Sequence, residues 1–321
     1  MSFNYKKIVA VIFAFILSLT ACGSRSDYKA DRLISNLYTA NTNTFADGTA
    51  KYIEIPDLSD EKAIESIGAD AYFIASTNRF DSNFTKYHNP YKKVPLASLT
   101  KLMTALVVLE NCKDLDEKYY VTTETVDFEK DVSKANLRVG DEVSVRDLLY
   151  GLLVPSGNDA AMCLAENLVD SYDNFVIMMN NEAERIGALN THFANPHGLD
   201  SDYHFSTAYD LFLIMRELLK YDIFKTISTT NEYTASIKDS TGTIRNEKWV
   251  NTNLFITGEI IISDNMTLLA GKTGNTKLAG SCLALLTKNK KTGDEYISII
   301  MNAKSKRNSY YNSNALFTAI K

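Results

Sequence analysis

The order of patterned segments constrains this fold more than any other feature: strand-like runs stand at both ends of the chain and helix-like runs fill its middle. Asp70 to Ser76 (DAYFIAS) is a β-prone run, Thr77 to Asn83 carries turn residues, and a returning segment starts at Phe84. After Pro95, Leu99, Leu102, Met103, Leu106 and Leu109 recur at helical spacing, which predicts a helix over about Ser98–Glu110 with one buried face. Ser144 and Asp147 form a capping pattern that opens a helix from Val145 to about Val154, and Pro155 stops it. Further helices are expected over Asp159–Leu168 and Thr207–Lys220. Strands return at Met266–Lys272, Gly280–Thr287 and Tyr296–Asn302, with Lys288–Glu295 as a hairpin turn, and a helix around Asn312–Ile320 ends the chain. A sheet assembled from both ends of a chain must accommodate what lies between them. The expected class is therefore α/β: an antiparallel β-sheet flanked by helices, with an inserted, mainly helical region. The α/β part covers about 51–112 and 245–321, and the helical part about 113–244.

The first segment is an address, not structure. Lys6 and Lys7 precede an apolar run, Ile8 to Leu19, shorter than the roughly twenty residues a bilayer span needs. The run ends in Leu19-Thr20-Ala21-Cys22, which resembles the bacterial lipobox, where the cysteine is acylated and becomes the mature N-terminus. Residues 1–21 are thus expected to be a lipoprotein signal peptide, Cys22 the lipidation site, and 22–50 a polar spacer, placing the rest outside the cytoplasmic membrane. The remaining length, with 45% apolar and 23% charged residues, is that of a globular domain with ample core. A net charge of −5 leaves no basic footprint for nucleic acid.

The other cysteines, Cys112, Cys163 and Cys282, are odd in number and sit in apolar stretches, so they are expected as small core hydrophobes. His88, His192, His197 and His204 show no metal-ligand spacing and are expected to be structural. No metal or cofactor is expected.

Three short patterns bear on chemistry, and none is specific alone. Ser-x-x-Lys occurs at Ser26, Ser59 and Ser98, Ser-x-Asn at Ser2, Ser76, Ser156 and Ser263, and Lys-Thr-Gly at Lys272 and Lys291. Ser98 opens an apolar helix, where free backbone N–H groups and the helix dipole favour developing negative charge. Lys101 shares its face one turn on. Serine needs an adjacent base to become a nucleophile, and a lysine serves if burial and a second cation lower its pKa. Ser156-Gly157-Asn158 lies in a tight turn between helices, which can present a hydroxyl and an amide side by side; plain helix capping by Asn158 or Asp159 is the simpler reading. Lys272-Thr273-Gly274 ends a strand that could pair with an extended peptide. Lys291 lies in a lysine-rich hairpin turn.

In their order these patterns carry a resemblance. Leu96–Leu106 (LASLTKLMTAL), Asp147–Ala161 (DLLYGLLVPSGNDAA), Thr191–Asp200 (THFANPHGLD) and Gly271–Cys282 (GKTGNTKLAGSC) resemble blocks of the D-alanyl-D-alanine carboxypeptidases, the low-molecular-weight penicillin-binding proteins. The resemblance covers about residues 55–320. It implies the serine-acylating fold shared with β-lactamases, with the site in a cleft between an α/β and a helical part. It also implies partners, peptidoglycan stem peptides and β-lactam antibiotics, and roles. Ser98 would be acylated by the D-Ala-D-Ala carbonyl, Lys101 would take its proton, and Ser156 would relay it to the leaving D-alanine. Asn158 would hold the substrate amide and Lys101. Lys272 and Thr273 would receive the substrate carboxylate, with Gly274 beside them, and the backbone N–H groups of Ser98 and Asn275 would form the oxyanion hole.

The sequence departs from the family pattern in places. Thr252 stands where some relatives carry a carboxylate-gripping arginine, and the chain stops after its final helix, without the β-rich C-terminal domain of many relatives. A D,D-endopeptidase uses the same residues and stays open. A class A β-lactamase needs a Glu-x-x-Leu-Asn base, whereas Glu184 precedes Leu189-Asn190 by the wrong spacing. A catalytically inactive wall-binding module would not need Ser98, Lys101, Ser156, Asn158 and Lys272 intact.

Overall fold

In the computed structural model, which describes residues 64, 67–77, 85–169 and 171–320, the two ends of the chain do meet in one sheet. Strands β1 (Ala69–Ser76), β2 (Thr85–His88), β7 (Met266–Thr276), β8 (Gly280–Asn289) and β9 (Glu295–Ala303) run antiparallel in the order β2-β1-β9-β8-β7. Burial on both faces explains why β1, β8 and β9 read as nearly continuous apolar runs. Ala71, Phe73 and Ala75 of β1 face one core, with Ala284, Leu286, Ile297 and Ile299. Tyr72 and Ile74 face the opposite one, with Leu283, Leu285, Tyr296 and Ile300. Tyr310, Leu316 and Phe317 of the final helix, α8 (Lys306–Ala319), seal that second face. The sheet is thus buried on both sides, and β7 is one of its two edges.

The other face packs on helices. Helix α1 (Thr100–Asn111) is surrounded by α3 (Val145–Leu153), α4 (Asn158–Leu168), α5 (Tyr172–Arg185) and α6 (Ala208–Leu218). Every residue from Thr100 to Val108 is buried, whereas Leu109 is only partly so, which corrects the expected single buried face. A helix enclosed on all sides has no solvent stripe. The Ser144 hydroxyl accepts the Asp147 N–H at the start of α3 (3.0 Å), as the capping pattern predicts.

The middle of the chain is mainly helical, as expected, but it also holds strands that the sequence did not reveal. With the short helices α2 (Thr123–Val126) and α7 (Asp222–Thr229), it carries strands β3 (Lys118–Tyr120), β4 (Glu142–Ser144), β5 (Glu232–Lys238) and β6 (Ile244–Val250), a second antiparallel sheet in the order β3-β4-β5-β6. The expected division near residue 244 falls on β6, which pairs along its length with β5. Two of these strands have three residues each, and β5 buries only Ala235 and Ile237, so their apolar signal is thin. All described residues belong to one compact unit, Tyr52–Lys321. Cys163 and Cys282 are buried and Cys112 is partly exposed, all three as free thiols. No helix among the described residues is long and apolar enough to cross a membrane. The signal, Cys22, the spacer and most of the turn before Phe84 lie outside the described residues.

Candidate active site

The site is assembled around a strained turn. Ala97–Leu99 form a single 3₁₀ turn that runs into α1, so Ser98 precedes the α-helix instead of opening it. Ala97 has φ +47°, a left-handed conformation that costs an alanine about 1–2 kcal/mol. A buried chain of hydrogen bonds holds it there. The Ala194 N–H donates to His204 Nδ1 (2.9 Å), and Nε2 lies 2.7 Å from Thr100 Oγ1, which donates to the Ala97 carbonyl (2.7 Å). Burial pushes His204 down to about 4, so the ring is neutral at pH 7, and its acceptor role at Nδ1 leaves the proton on Nε2. From the other side Gly198, at φ +92°, closes on the same carbonyl; a Cβ there would lie 2.0 Å from Ala97 O. Strain maintained from two sides is a mark of functional turns.

Lys101 is fully buried, and its Nζ has three neighbours: Asn158 Oδ1 at 2.7 Å, the His197 carbonyl at 2.6 Å and Ser98 Oγ at 3.0 Å. Burial, and then the charge of Lys272, hold its pKa well below the ordinary lysine range, against a pull from Asp159. A neutral amine has two N–H donors and one lone pair. With Lys101 neutral, the two carbonyl oxygens would take both donors and leave the lone pair for the Ser98 hydroxyl. The arrangement can therefore accept a proton from Ser98 without any further reorganisation.

The His197 carbonyl is itself fixed. Asn195 accepts the Gly198 N–H (2.6 Å) and donates to the Leu199 carbonyl (3.0 Å), while Thr104 Oγ1 donates to the Pro196 carbonyl (2.6 Å). Sequence reasoning assigned no role to Asn195, Gly198, the His197 backbone, Thr100 or Thr104. Their signals were the THFANPHGLD block and, for Thr100 and Thr104, the LASLTKLMTAL block, but the group that meets Lys101 is a backbone oxygen, which any residue carries.

Ser156 turns the chain between α3 and α4 at φ +64°, and Asn158 is the first residue of α4. Neither Asn158 nor Asp159 caps that helix as the simpler reading supposed; Gly157 stands at the cap and offers no side chain. Asn158 gives its oxygen to Lys101, and Asp159 accepts the N–H groups of Ala135 (2.7 Å) and Leu137 (3.1 Å). Lys272, fully buried in β7, donates to Ser156 Oγ (2.8 Å) and to the Thr273 carbonyl (2.8 Å). Burial, helped by the charge of Lys306, pushes it down to about 7.

Thr273 Oγ1 lies 2.7 Å from Thr252 Oγ1, so the position without an arginine provides a paired hydroxyl. Gly274 lets β7 pass close to the serine turn: a Cβ would lie 3.1 Å from Leu96 O and 3.2 Å from Leu99 N. Asn275 is exposed, and its side-chain oxygen accepts the Ser281 hydroxyl (3.0 Å). Ser98, Lys101, Ser156, Asn158, Lys272 and Thr273 thus converge, with Gly274 and Asn275 next along the same strand. Among the described residues, the rival patterns at Ser76, Ser263 and Lys291 do not join them. Ser263 hydrogen-bonds Asn265 in its own turn, and Lys291 is exposed between β8 and β9.

A half-buried serine faces a buried amine, and a second serine faces a second amine, an arrangement suited to a serine nucleophile with lysine as its base. The family model described as D-alanyl-D-alanine carboxypeptidase, peptidase S11, matches residues 63–305. The chain is 36% identical over 193 residues to the D-alanyl-D-alanine endopeptidase of Escherichia coli strain K12, covering 60% of this chain and 59% of that one. It is 36% identical over 196 residues to the D-alanyl-D-alanine carboxypeptidase of Streptomyces sp. strain K15, covering 58% and 65%. Its fold is similar to the crystal structure of the Streptomyces K15 DD-transpeptidase, with a TM-score of 0.72 and 30% identity over 79% of this chain and 97% of that one. These matches span less than two thirds of the length of the two curated relatives. The chain belongs to the D-alanyl-D-alanine carboxypeptidase family of serine peptidases.

Proposed function

We propose that this protein is a penicillin-binding D-alanyl-D-alanine carboxypeptidase that removes the terminal D-alanine from peptidoglycan stem peptides through an acyl-enzyme on Ser98. The observation that carries the reading is the Lys101 amine, whose two carbonyl partners leave its lone pair to Ser98. In the proposed cycle Ser98 Oγ attacks the carbonyl of the penultimate D-alanine while its proton passes to Lys101 Nζ. Ser156, in contact with Lys272, returns a proton to the departing amine, and Asn158 holds the peptide amide. Lys272 and Thr273 receive the terminal carboxylate, and the N–H groups of Ser98 and Asn275 bind the oxyanion, where one donor is worth about 100- to 1000-fold in rate. Water then resolves the ester.

A second reading, cleavage of peptide cross-links, is favoured by the 36% identity to a protein named as an endopeptidase. Incubation with stem pentapeptide and with cross-linked muropeptides, followed by mass analysis, separates the two. Loss of one D-alanine from the pentapeptide supports carboxypeptidase action, and monomers released from cross-linked dimers support the second. Neither product from the wild-type chain would end both.

The organisation is proposed to be a signal over 1–21, a lipid on Cys22, a spacer over 22–50 and the catalytic domain over 51–321, held at the outer face of the cytoplasmic membrane. The lipobox-like Leu19-Thr20-Ala21-Cys22 supports it. A palmitate analogue should label the wild type and not Cys22→Ala; equal labelling of the two would refute the anchor.

A further inference from the structure

Asn275 is followed by Thr276, the last residue of β7, and by a three-residue turn into β8, with Thr276 paired opposite Gly280. Such a turn at the edge of a sheet is free to sway unless something outside the hairpin holds it. One side chain from elsewhere in the chain does. Asp200 accepts the Thr276 hydroxyl at Oδ1 (2.5 Å) and the Leu278 N–H at Oδ2 (3.2 Å). A carboxylate is an acceptor only, so the single proton of Thr276 Oγ1 is committed to Asp200. The lone pairs of that hydroxyl then face the Ala279 N–H, which donates to it (3.1 Å). The turn is thereby set from inside and outside at once.

The other end of this tie rests on the nucleophile turn. Gly198, two residues before Asp200, closes on the carbonyl of Ala97, which immediately precedes Ser98. Residues 198–200 therefore form a bridge of at most about 11 Å between the residue before Ser98 and the residue after Asn275. We infer that Asp200 is a positioning residue: through Thr276 and Leu278 it fixes the end of β7, and so Asn275, against the Ser98 turn. The inference rests on the acyl-enzyme reading above, since Asn275 matters there as an oxyanion donor. Asp200 is exposed, so its loss should leave the fold intact while freeing the turn.

The test compares Asp200→Ala, Asp200→Asn, Thr276→Val and the Asp200→Ala/Thr276→Val pair in the full chain. Stopped-flow acylation by a fluorescent penicillin separates the acylation rate constant from the dissociation constant of the first complex, and amide exchange reports on Leu278 and Ala279. Asp200→Ala is expected to slow acylation about 10- to 100-fold, less than the loss of an entire oxyanion donor. The dissociation constant should change less than about threefold, since the tie acts on the transition state and not on initial binding. The two amides should exchange faster while Tm holds. Asparagine keeps an oxygen for Leu278 and a group for Thr276, so Asp200→Asn should recover most of the rate, which a purely electrostatic role would not allow. The double variant should be no worse than the more damaged single one, because both remove the same tie. Unchanged amide exchange in Asp200→Ala, or losses that multiply in the double variant, would overturn the inference. A wild-type chain that penicillin never acylates would instead overturn the reading beneath it.

Discussion

Lys272 Nζ donates a 2.8 Å hydrogen bond to Ser156 Oγ although 116 residues separate them in the chain. The bond joins the edge of the five-stranded sheet to the turn between α3 and α4, so the two parts of the site meet through these side chains. Buried beside it, Lys272 also depresses Lys101. In the proposed reading the two amines divide their work: Lys101, lowered well below the ordinary lysine range, serves as base for Ser98, and Lys272, lowered to about 7, meets the substrate carboxylate.

That division separates the two Lys-Thr-Gly patterns experimentally. Lys272→Ala should slow penicillin acylation by about 100-fold or more, the scale of a lost acid–base or charge contribution. Lys272→Arg should lose less, because it keeps the charge. Lys291→Ala, in an exposed hairpin turn, should acylate as the wild type does. A gel-based fluorescent penicillin time course decides it, and a crippled Lys291→Ala beside a healthy Lys272→Ala would reassign the strand.

Stability should rise with pH above neutrality. Lys272 releases its proton near 7 in the folded chain, whereas an unfolded lysine keeps it to about 10.4. Between those values the unfolded state binds more protons, so raising the pH favours folding. The penalty for burying the charge is complete below 7 and relieved on the way to 10, with a slope of at most about 1.4 kcal/mol per pH unit. Urea midpoints at pH 7 and pH 9 should therefore rise in the wild type and rise less in Lys272→Met. Equal slopes in the two would show that Lys272 titrates as an exposed lysine does.

An acyl-enzyme formed with penicillin should persist for minutes. All three partners of Lys101 Nζ are neutral groups, and Glu182, in the stretch where a β-lactamase-type base would be sought, is taken up by Arg185. Glu184 is exposed. Intact-protein mass spectrometry after a penicillin pulse should show an adduct on the wild type and none on Ser98→Ala. Free enzyme regenerated within a second would favour β-lactam hydrolysis, and an adduct on Ser98→Ala would mean that another serine reacts.

Gly198 offers a test of the strained turn. An alanine there combines a left-handed φ with a Cβ 2.0 Å from Ala97 O. The two effects together should cost about 2–5 kcal/mol. Thermal unfolding should register that loss, and acylation of the fraction that remains folded should fall with it as the Ala97–Ser98 backbone is displaced. A variant with wild-type Tm and acylation would show that the bridge is not packed as described.

β1, β8 and β9 bury both faces and are nearly unbroken apolar runs, β7 is mostly apolar in its first half, and helices with four or more apolar residues at helical spacing are unmistakable, so these strands and α1, α3, α4 and α6 could be read from residues alone. The same holds for the order of Ser98, Ser156 and Lys272, because chemistry at a side chain leaves its residue type in the chain. The second sheet was not legible, since β5 and β6 expose most of their residues and β3 and β4 are too short to show a period. Nor was the support of the site. The His197 carbonyl, the positive φ of Ala97 and Ser156, and the Asp200 tie are backbone geometry and long-range contact. All but the Ser156 turn, which meets Lys272, depend on the loop at 195–200 being laid against α1 on one side and β7 on the other. A backbone oxygen has no letter of its own, and a lysine becomes a base only where folding has removed its water, so the sequence names the reacting groups and the tertiary structure decides their protonation and their aim.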